Sequence, residues 1–328
     1  MRPRRPRDRA CRPLAREPQH FARLRRLQCR AGARGHGVTR VLGVGLLTAW
    51  GEGVAALPDD ARRAAGERRV VPMATPAIAG ERFRRATREC LLGVAAVGAA
   101  LRDSALDRAA VAGSRTALVY VTAAAYGASN KRFIVAEAAS QVRANGGPDG
   151  VVAIEAQSPG ATEGAGRAKT GGAIYFPYTA PSSVPAEVAI EYGLTGGYVI
   201  LVGGASAGVD ALWQASTLLA AGDADLALVL AVETFEECAD LWTRGRWVTP
   251  RPLVEAAACA VLAGADDADI GYGPGAASTL ETLVTRRAGE TLACAPLVEL
   301  ALARAAGMPI ARVTGRWRGR RAQIAVAT

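Results

Sequence analysis

Histidine is nearly missing from this chain. Of 328 residues only His20 and His36 are histidines. Any chemistry that needs an imidazole base beyond residue 36 is therefore excluded. Lysine is as scarce, with Lys131 and Lys169 alone, so nearly every cation is arginine. The six cysteines (Cys11, Cys29, Cys90, Cys238, Cys259 and Cys294) show no C-x-x-C and no regular spacing. That pattern argues against a zinc site and a disulfide framework, and a reducing cytoplasm is the expected location. Cys259 lies in an apolar run and reads as a small core residue. No apolar run reaches the ~18–20 residues of a membrane span; the run 91–101 stops at Arg102. No G-K-[ST] follows the glycines between Gly160 and Gly172, so they form no phosphate loop. No cofactor or metal is expected.

Charge is unevenly placed. The chain carries 40 basic and 30 acidic residues. Residues 1–36 hold twelve of the arginines, with only Asp8 and Glu17 as acids, which leaves 28 of each sign for the remainder. A balanced body offers no nucleic-acid surface. Segment 1–37 has scattered prolines and no apolar periodicity, so it reads as a disordered Arg-rich tail. An over-extended translation start is favoured for it over a targeting segment or an arm for acidic partners.

Half of the residues are hydrophobic and 5% are aromatic. Small apolar residues in such excess suit helices packed closely on a sheet. Apolar runs predict strands at 38–47, 116–122, 198–202, 226–232, 256–262, 310–314 and 322–327, with 198–202 reading as a buried strand. Helices are predicted over 81–102, 130–145, 183–193, 209–221 and 292–306, with Ser183 as a cap and Pro185 in the first turn of the third. Residues 154–174 read as loop. The alternation makes the class α/β, and 198–232 is a β-α-β unit with parallel strands.

Between the strand at 198–202 and its helix lies the elbow Gly203-Gly204-Ala205-Ser206-Ala207-Gly208. A tight strand-to-helix turn presents a side chain at a helix N-terminus, where free N–H groups stabilise an anion. That setting suits a nucleophile, yet Ala205 has no reactive atom. Gly204 to Gly208 also satisfies G-x-S-x-G, with Ser206 as an alternative nucleophile. A serine needs a base, and no histidine follows His36. The plain alternative makes Ser206 a small capping residue of the helix.

The body resembles the β-ketoacyl synthases of the thiolase-like superfamily. VTRVLGVGLLTAWGEGV (38–54) looks like the family's first strand and turn, and SSVPAEVAIEYGLTG (182–196) like the helix before the active-site strand. VGGASAGVDALWQASTLLAAGDADLALVLAVET (202–234) looks like the nucleophile region, and Glu255-Ala256-Ala257-Ala258 like its E-G-A-G strand. The resemblance covers 38–265. It implies a thiolase-like layered α-β-α fold and decarboxylative condensation by a cysteine thiolate and a histidine pair. It places Ala205 at the cysteine and makes Gly204, Ala205, Ser206 and Gly208 a substrate or oxyanion elbow. The histidine pair is absent, and 266–328 is too short for the family's second repeat, so a truncated second half is expected. Three segments follow: the tail 1–37, a synthase-like domain 38–265 and a shortened C-terminal portion 266–328.

The resemblance implies a non-condensing subunit of fatty-acid or polyketide assembly, similar to a chain-length factor. Its partners would be an acyl carrier protein or acyl thioester, and a second copy or an active ketosynthase in a dimer. A Ser206-based acyl hydrolase or acyltransferase, a residual acyl-binding enzyme with oxyanion donors only, and a decayed homologue are the alternatives. Outside the elbow, Glu233, Glu236 and Glu237 follow a strand end, where acids stand near the site mouth or on a solvated loop; the solvated reading is favoured. LWTRGRW (241–247) reads as an aromatic-packed loop or a carrier-binding surface, and GRWRGRR (315–321) as a basic hairpin tip that could attract an acidic carrier.

Overall fold

Alternation along the central strands divides the core in two. In the computed structural model, which describes residues 39–124, 133–135, 138, 179–235, 251–264 and 271–328, the main strands are β1 (Arg40–Thr48), β2 (Thr116–Thr122), β3 (Tyr198–Val202), β4 (Leu226–Glu233), β5 (Ala256–Ala263), β6 (Ile310–Trp317) and β7 (Arg320–Ala327). The longer helices are α1 (Arg88–Asp103), α2 (Ser183–Tyr192), α3 (Ala205–Ala220), α4 (Thr279–Ala288) and α5 (Ala295–Ala305). Residues 1–37, most of 130–145, the loop 154–174, Lys131, Lys169, Glu236, Glu237 and the stretch 241–247 lie outside the described residues.

Strand order is β3-β2-β4-β5-β1-β7-β6. β2 pairs parallel with β3 and with β4, and β5 runs antiparallel to both β4 and β1. The 198–232 stretch is thus the parallel β-α-β unit that its pattern predicts. Successive side chains point to opposite faces. Val119, Val229 and Ala258 face one cluster with α3 and α5, whereas Tyr120, Leu230 and Cys259 face another with α1 and α2. The result is an α-β-α layered fold. Contact is close where alanines meet glycine: a Cβ on Gly45 would lie 2.3 Å from both the Ala100 nitrogen and the Ala96 oxygen of α1.

The chain's C-terminal hairpin, β6–β7, extends the sheet beside β1, joined at Arg40 and Ala327. It curls over α3, which packs on β2 and β4 as well as on β6 and β7.

Three local readings need correction. The 81–102 helix is two pieces, a 3-10 turn at Glu81–Arg85 and then α1, because Ala86 and Thr87 are extended. Ser183 is the first helical residue of α2 rather than its cap; Ser182 holds the cap position and makes no side-chain bond there. β3 is not a buried strand. It is the sheet edge, with Tyr198 and Val202 each 58% exposed.

Candidate functional site

The elbow is tighter than its glycines imply. Helix α3 begins at Ala205, four residues before the predicted start, with Gly204 as N-cap. The Gly204 carbonyl accepts from the N–H groups of Ala207 (2.8 Å) and Gly208 (3.2 Å), which closes the first turn. Ser206 therefore sits inside that turn and cannot be the N-cap, so the capping reading fails. Each glycine answers a neighbour. A Cβ on Gly204 would lie 2.4 Å from the Trp317 ring, and one on Gly208 would lie 2.5 Å from the Ala293 carbonyl. A Cβ on Gly315 would lie 2.2 Å from the Ala205 carbonyl. Strand β6 thus lies directly on the elbow, over 100 residues away in sequence.

Ala205 is 8% exposed and presents only a methyl group. It borders a cleft of about 650 Å³ shared with Arg251, Glu281, Glu299, Gly315 and Arg321. Arg321 pairs with Glu281. The Glu299 carboxylate accepts from the Ser278 hydroxyl and the Thr314 N–H, each at 2.8 Å. Burial pushes its carboxyl up to about 7.

Beneath the elbow, Glu233 overturns its reading as a solvated acid. It is fully buried. Its oxygens accept from the N–H groups of Ala123 (2.7 Å), Ala124 (3.0 Å) and Ala293 (3.2 Å) and from the Thr122 hydroxyl (3.4 Å). Burial pushes its carboxyl up to about 8, against those donors. The acid ties β2, β4 and the turn behind Gly208 together. Sequence reasoning missed both Glu233 and Glu299 as buried acids. The one available signal was that Glu233 directly follows a strand apolar on both faces. Among the described residues, no cluster of three or more His, Cys, Asp or Glu could hold a metal ion, and no helix is long and apolar enough to cross a membrane.

The family model for the N-terminal domain of β-ketoacyl synthases matches residues 52–246, more than half of the chain. The chain belongs to the β-ketoacyl synthase family. No curated protein sequence matches it. Among solved structures, the ishigamide ketosynthase/chain length factor shares 16% identity, with 88% of this chain and 98% of that one covered at a TM-score of 0.59. A type II polyketide ketosynthase, bound to the hexaketide and solved with its acyl-carrier protein, shares 14%, with 89% and 100% covered at 0.64. A β-ketoacyl synthase from Burkholderia phymatum shares 13%, with 89% and 100% covered at 0.60. These likenesses place the chain in the ketosynthase fold.

Within that fold Gly204, Ala205, Ser206 and Gly208 lie together at the start of α3. Residues 315–321 form a hairpin tip, Arg318 and Gly319 turning between β6 and β7.

Both buried acids carry a pH signature. A carboxyl held above its ordinary value binds a proton more readily in the folded chain. Its contribution is complete below about 4.5 and is lost as pH rises through 7 to 8. For Glu299 alone the loss is about 3 kcal/mol. The urea midpoint is expected to fall from pH 5 to pH 8.5. Glu299→Gln should flatten part of that slope, since a glutamine can accept from Thr314 and donate to Ser278. A midpoint that is level or rises over this range would contradict the assignment.

Proposed function

We propose that this ketosynthase-family chain is a non-condensing subunit of fatty-acid or polyketide assembly, of the chain-length-factor kind. The observation that carries the reading is Ala205. Condensation needs a soft nucleophile at the helix N-terminus, and a methyl group cannot form the acyl–enzyme bond. No histidine follows His36 to assist decarboxylation. The elbow fold itself persists, with Gly204, Ser206 and Gly208 in place, so the scaffold outlasts the chemistry. The ishigamide ketosynthase/chain length factor has a similar fold, which supports the reading.

A subunit of this kind acts through a partner. β3 supports that: it is the sheet edge next to the elbow, half-exposed, with Tyr198 and Val202 facing outward. An edge strand of this length readily pairs with another chain. The partner is a second copy or an active ketosynthase, and the complex serves an acyl carrier protein or acyl thioester. Its setting is the cytoplasm.

The test uses the full chain with a radiolabelled acyl carrier thioester. Alone, the chain is expected to acquire no covalent label and to release no condensed product from a malonyl donor. Co-expressed with a ketosynthase that holds the cysteine and histidine pair, it is expected to co-purify and to alter product length. Stable labelling of the chain alone would overturn the proposal, as would condensation by it.

A further inference from the structure

The turn that leads into α5 carries two anomalies side by side. Thr291 is fully buried, and among the described residues its hydroxyl is a buried side-chain group with no hydrogen-bond partner. Such a group costs stability, so native chains rarely leave one. Leu292, the next residue, holds a φ of 46°, a left-handed conformation that strains a bulky side chain. It is also buried, packed with Ala124, Phe235 and Leu253. Thr291 is the N-cap of the 3-10 turn Leu292–Cys294, yet its side chain caps nothing. Its ψ of 12° is the reason: a capping threonine needs extended backbone, which aims its oxygen at an N–H two or three residues on.

Two bonds hold this strained state. The Leu292 N–H donates to the Glu290 carboxylate at 3.2 Å, and the Cys294 N–H to the Thr291 carbonyl at 3.0 Å. A half-turn of the single peptide between Thr291 and Leu292 changes both anomalies at once. It takes the Leu292 φ to about −130° and the Thr291 ψ to about −170°, both in allowed extended territory. The Thr291 carbonyl then stands where the Leu292 N–H stood, towards Glu290. The Thr291 hydroxyl oxygen comes into the capping position for the Cys294 N–H, since the Ala293 N–H is already taken by Glu233 at 3.2 Å. Each state makes two bonds, so the acid decides between them. An ionised Glu290 only accepts, and it holds the Leu292 N–H. A protonated Glu290 can donate, and the flipped carbonyl is the acceptor that it meets. The charged groups that share its cleft are Arg251, Glu281 of α4, Glu299 of α5, and Arg316, Arg318 and Arg321 of the β6–β7 hairpin. Burial pushes the Glu290 carboxyl above its ordinary range; the Leu292 N–H and Arg251 oppose that rise, and Glu281 adds to it.

We propose that the Thr291–Leu292 peptide is a two-state switch: ionised Glu290 holds it in the strained, uncapped form, and protonation of Glu290 flips it into the capped one. The proton comes from solvent, and no covalent bond changes. Position couples the switch to the elbow. The Ala293 carbonyl lies 2.5 Å from where a Cβ on Gly208 would stand, so the turn bears directly on the first turn of α3. Glu290 and Ala205 line one cleft. A proton taken up in that cleft is thus felt beneath the elbow. The inference is independent of the non-condensing reading, because neither the missing thiol at Ala205 nor the β3 edge enters it.

The experiment labels the full chain with carbonyl-13C threonine and 15N leucine and follows the carbonyl-to-amide NMR correlations from about pH 8.5 to about pH 4.5. Such labelling shows only Thr–Leu peptides, and the chain has four: 217–218, 279–280, 282–283 and 291–292. The first three lie in α3 and α4 and serve as internal controls. Thr291→Val removes the fourth peak and so assigns it. As pH falls, that peak is expected to move or to give way to a second one while the controls stay. Glu290→Gln, which has no proton to lose, should show one position at every pH. Stability separates a flip from protonation alone. At about pH 8.5 Thr291→Val should melt about 2 °C above the parent, because it removes the orphaned hydroxyl. At about pH 4.5 it should melt about 2 °C or more below the parent, since valine cannot cap. The proposal is overturned by a fourth peak that ignores pH, by one that still titrates in Glu290→Gln, or by a Thr291→Val effect that does not change sign between the two ends of the range. Should Glu290→Gln fail to fold, the sign of the Thr291→Val effect decides alone.

Discussion

Replacing Gly315 by valine is expected to lower the melting temperature by roughly 6–12 °C or to abolish folding. The cause is contact between backbones. The new Cβ would lie 2.2 Å from the Ala205 carbonyl oxygen, 2.5 Å from its carbon and 2.9 Å from the Ser206 nitrogen. None of these atoms belongs to a side chain that can swing aside. On its other flank α3 is packed against β2 and β4, so the helix cannot retreat without opening the larger core. Overpacking costs about 1–3 kcal/mol where side chains can give, and more where backbone must move. Against a total stability of about 5–15 kcal/mol this is a large fraction. Gly197→Ala is the control, since nothing lies within 4 Å of a Cβ there; it should melt within about 2 °C of the parent. Circular dichroism melts of the three proteins decide the matter. A valine variant that melts with the control would mean that β6 does not seal the elbow.

The second large effect is expected at Arg88. Glu255 is fully buried. It accepts from the N–H groups of Met73 (2.7 Å) and Phe235 (2.8 Å) and from the Arg88 guanidinium, one of whose contacts is at 3.0 Å. Arg88 also donates to the Met73 carbonyl. The pair pins the start of α1 and the segment at Met73 to the residue before β5. Arg88→Ala leaves a buried carboxylate short of its cation, which costs about 3–5 kcal/mol. Arg88→Lys should recover only part, since a point charge cannot bind both oxygens in the plane of the carboxylate. Glu255→Leu would spare the charge but orphan two backbone N–H groups, so it too should be destabilising. Urea midpoints measure all three. A loss below about 1 kcal/mol for Arg88→Ala would show that the pair is exchangeable with solvent.

How far the sequence reached can be seen residue by residue. The bounds of β2 and β3 are those that the runs TALVYVT and YVILV predict, because a strand's apolar pattern is local. The predicted start of α3 was late. Gly203 to Gly208 looks like loop in a one-dimensional reading, and only the fit of Trp317 and Gly315 over the elbow explains why residues 205–208 wind into helix. Glu233 was misread for a related reason. An acid at a strand end is solvated unless donors surround it, and its donors come from Ala123, Ala124 and Ala293, two of them over 100 residues away. β3 was read as buried because its residues are apolar, yet apolar residues also occupy sheet edges.

The order of letters alone settled most of the strand runs, the turn at Gly204, and the lack of a thiol at 205 and of any imidazole after residue 36. These are matters of local pattern and of composition, and no folding is needed to read them. What three dimensions decided is the lid over that turn and the burial of Glu233, Glu255 and Glu299. Each depends on segments distant along the chain meeting in space, and such meetings are fixed by packing rather than by the periodicity of either segment.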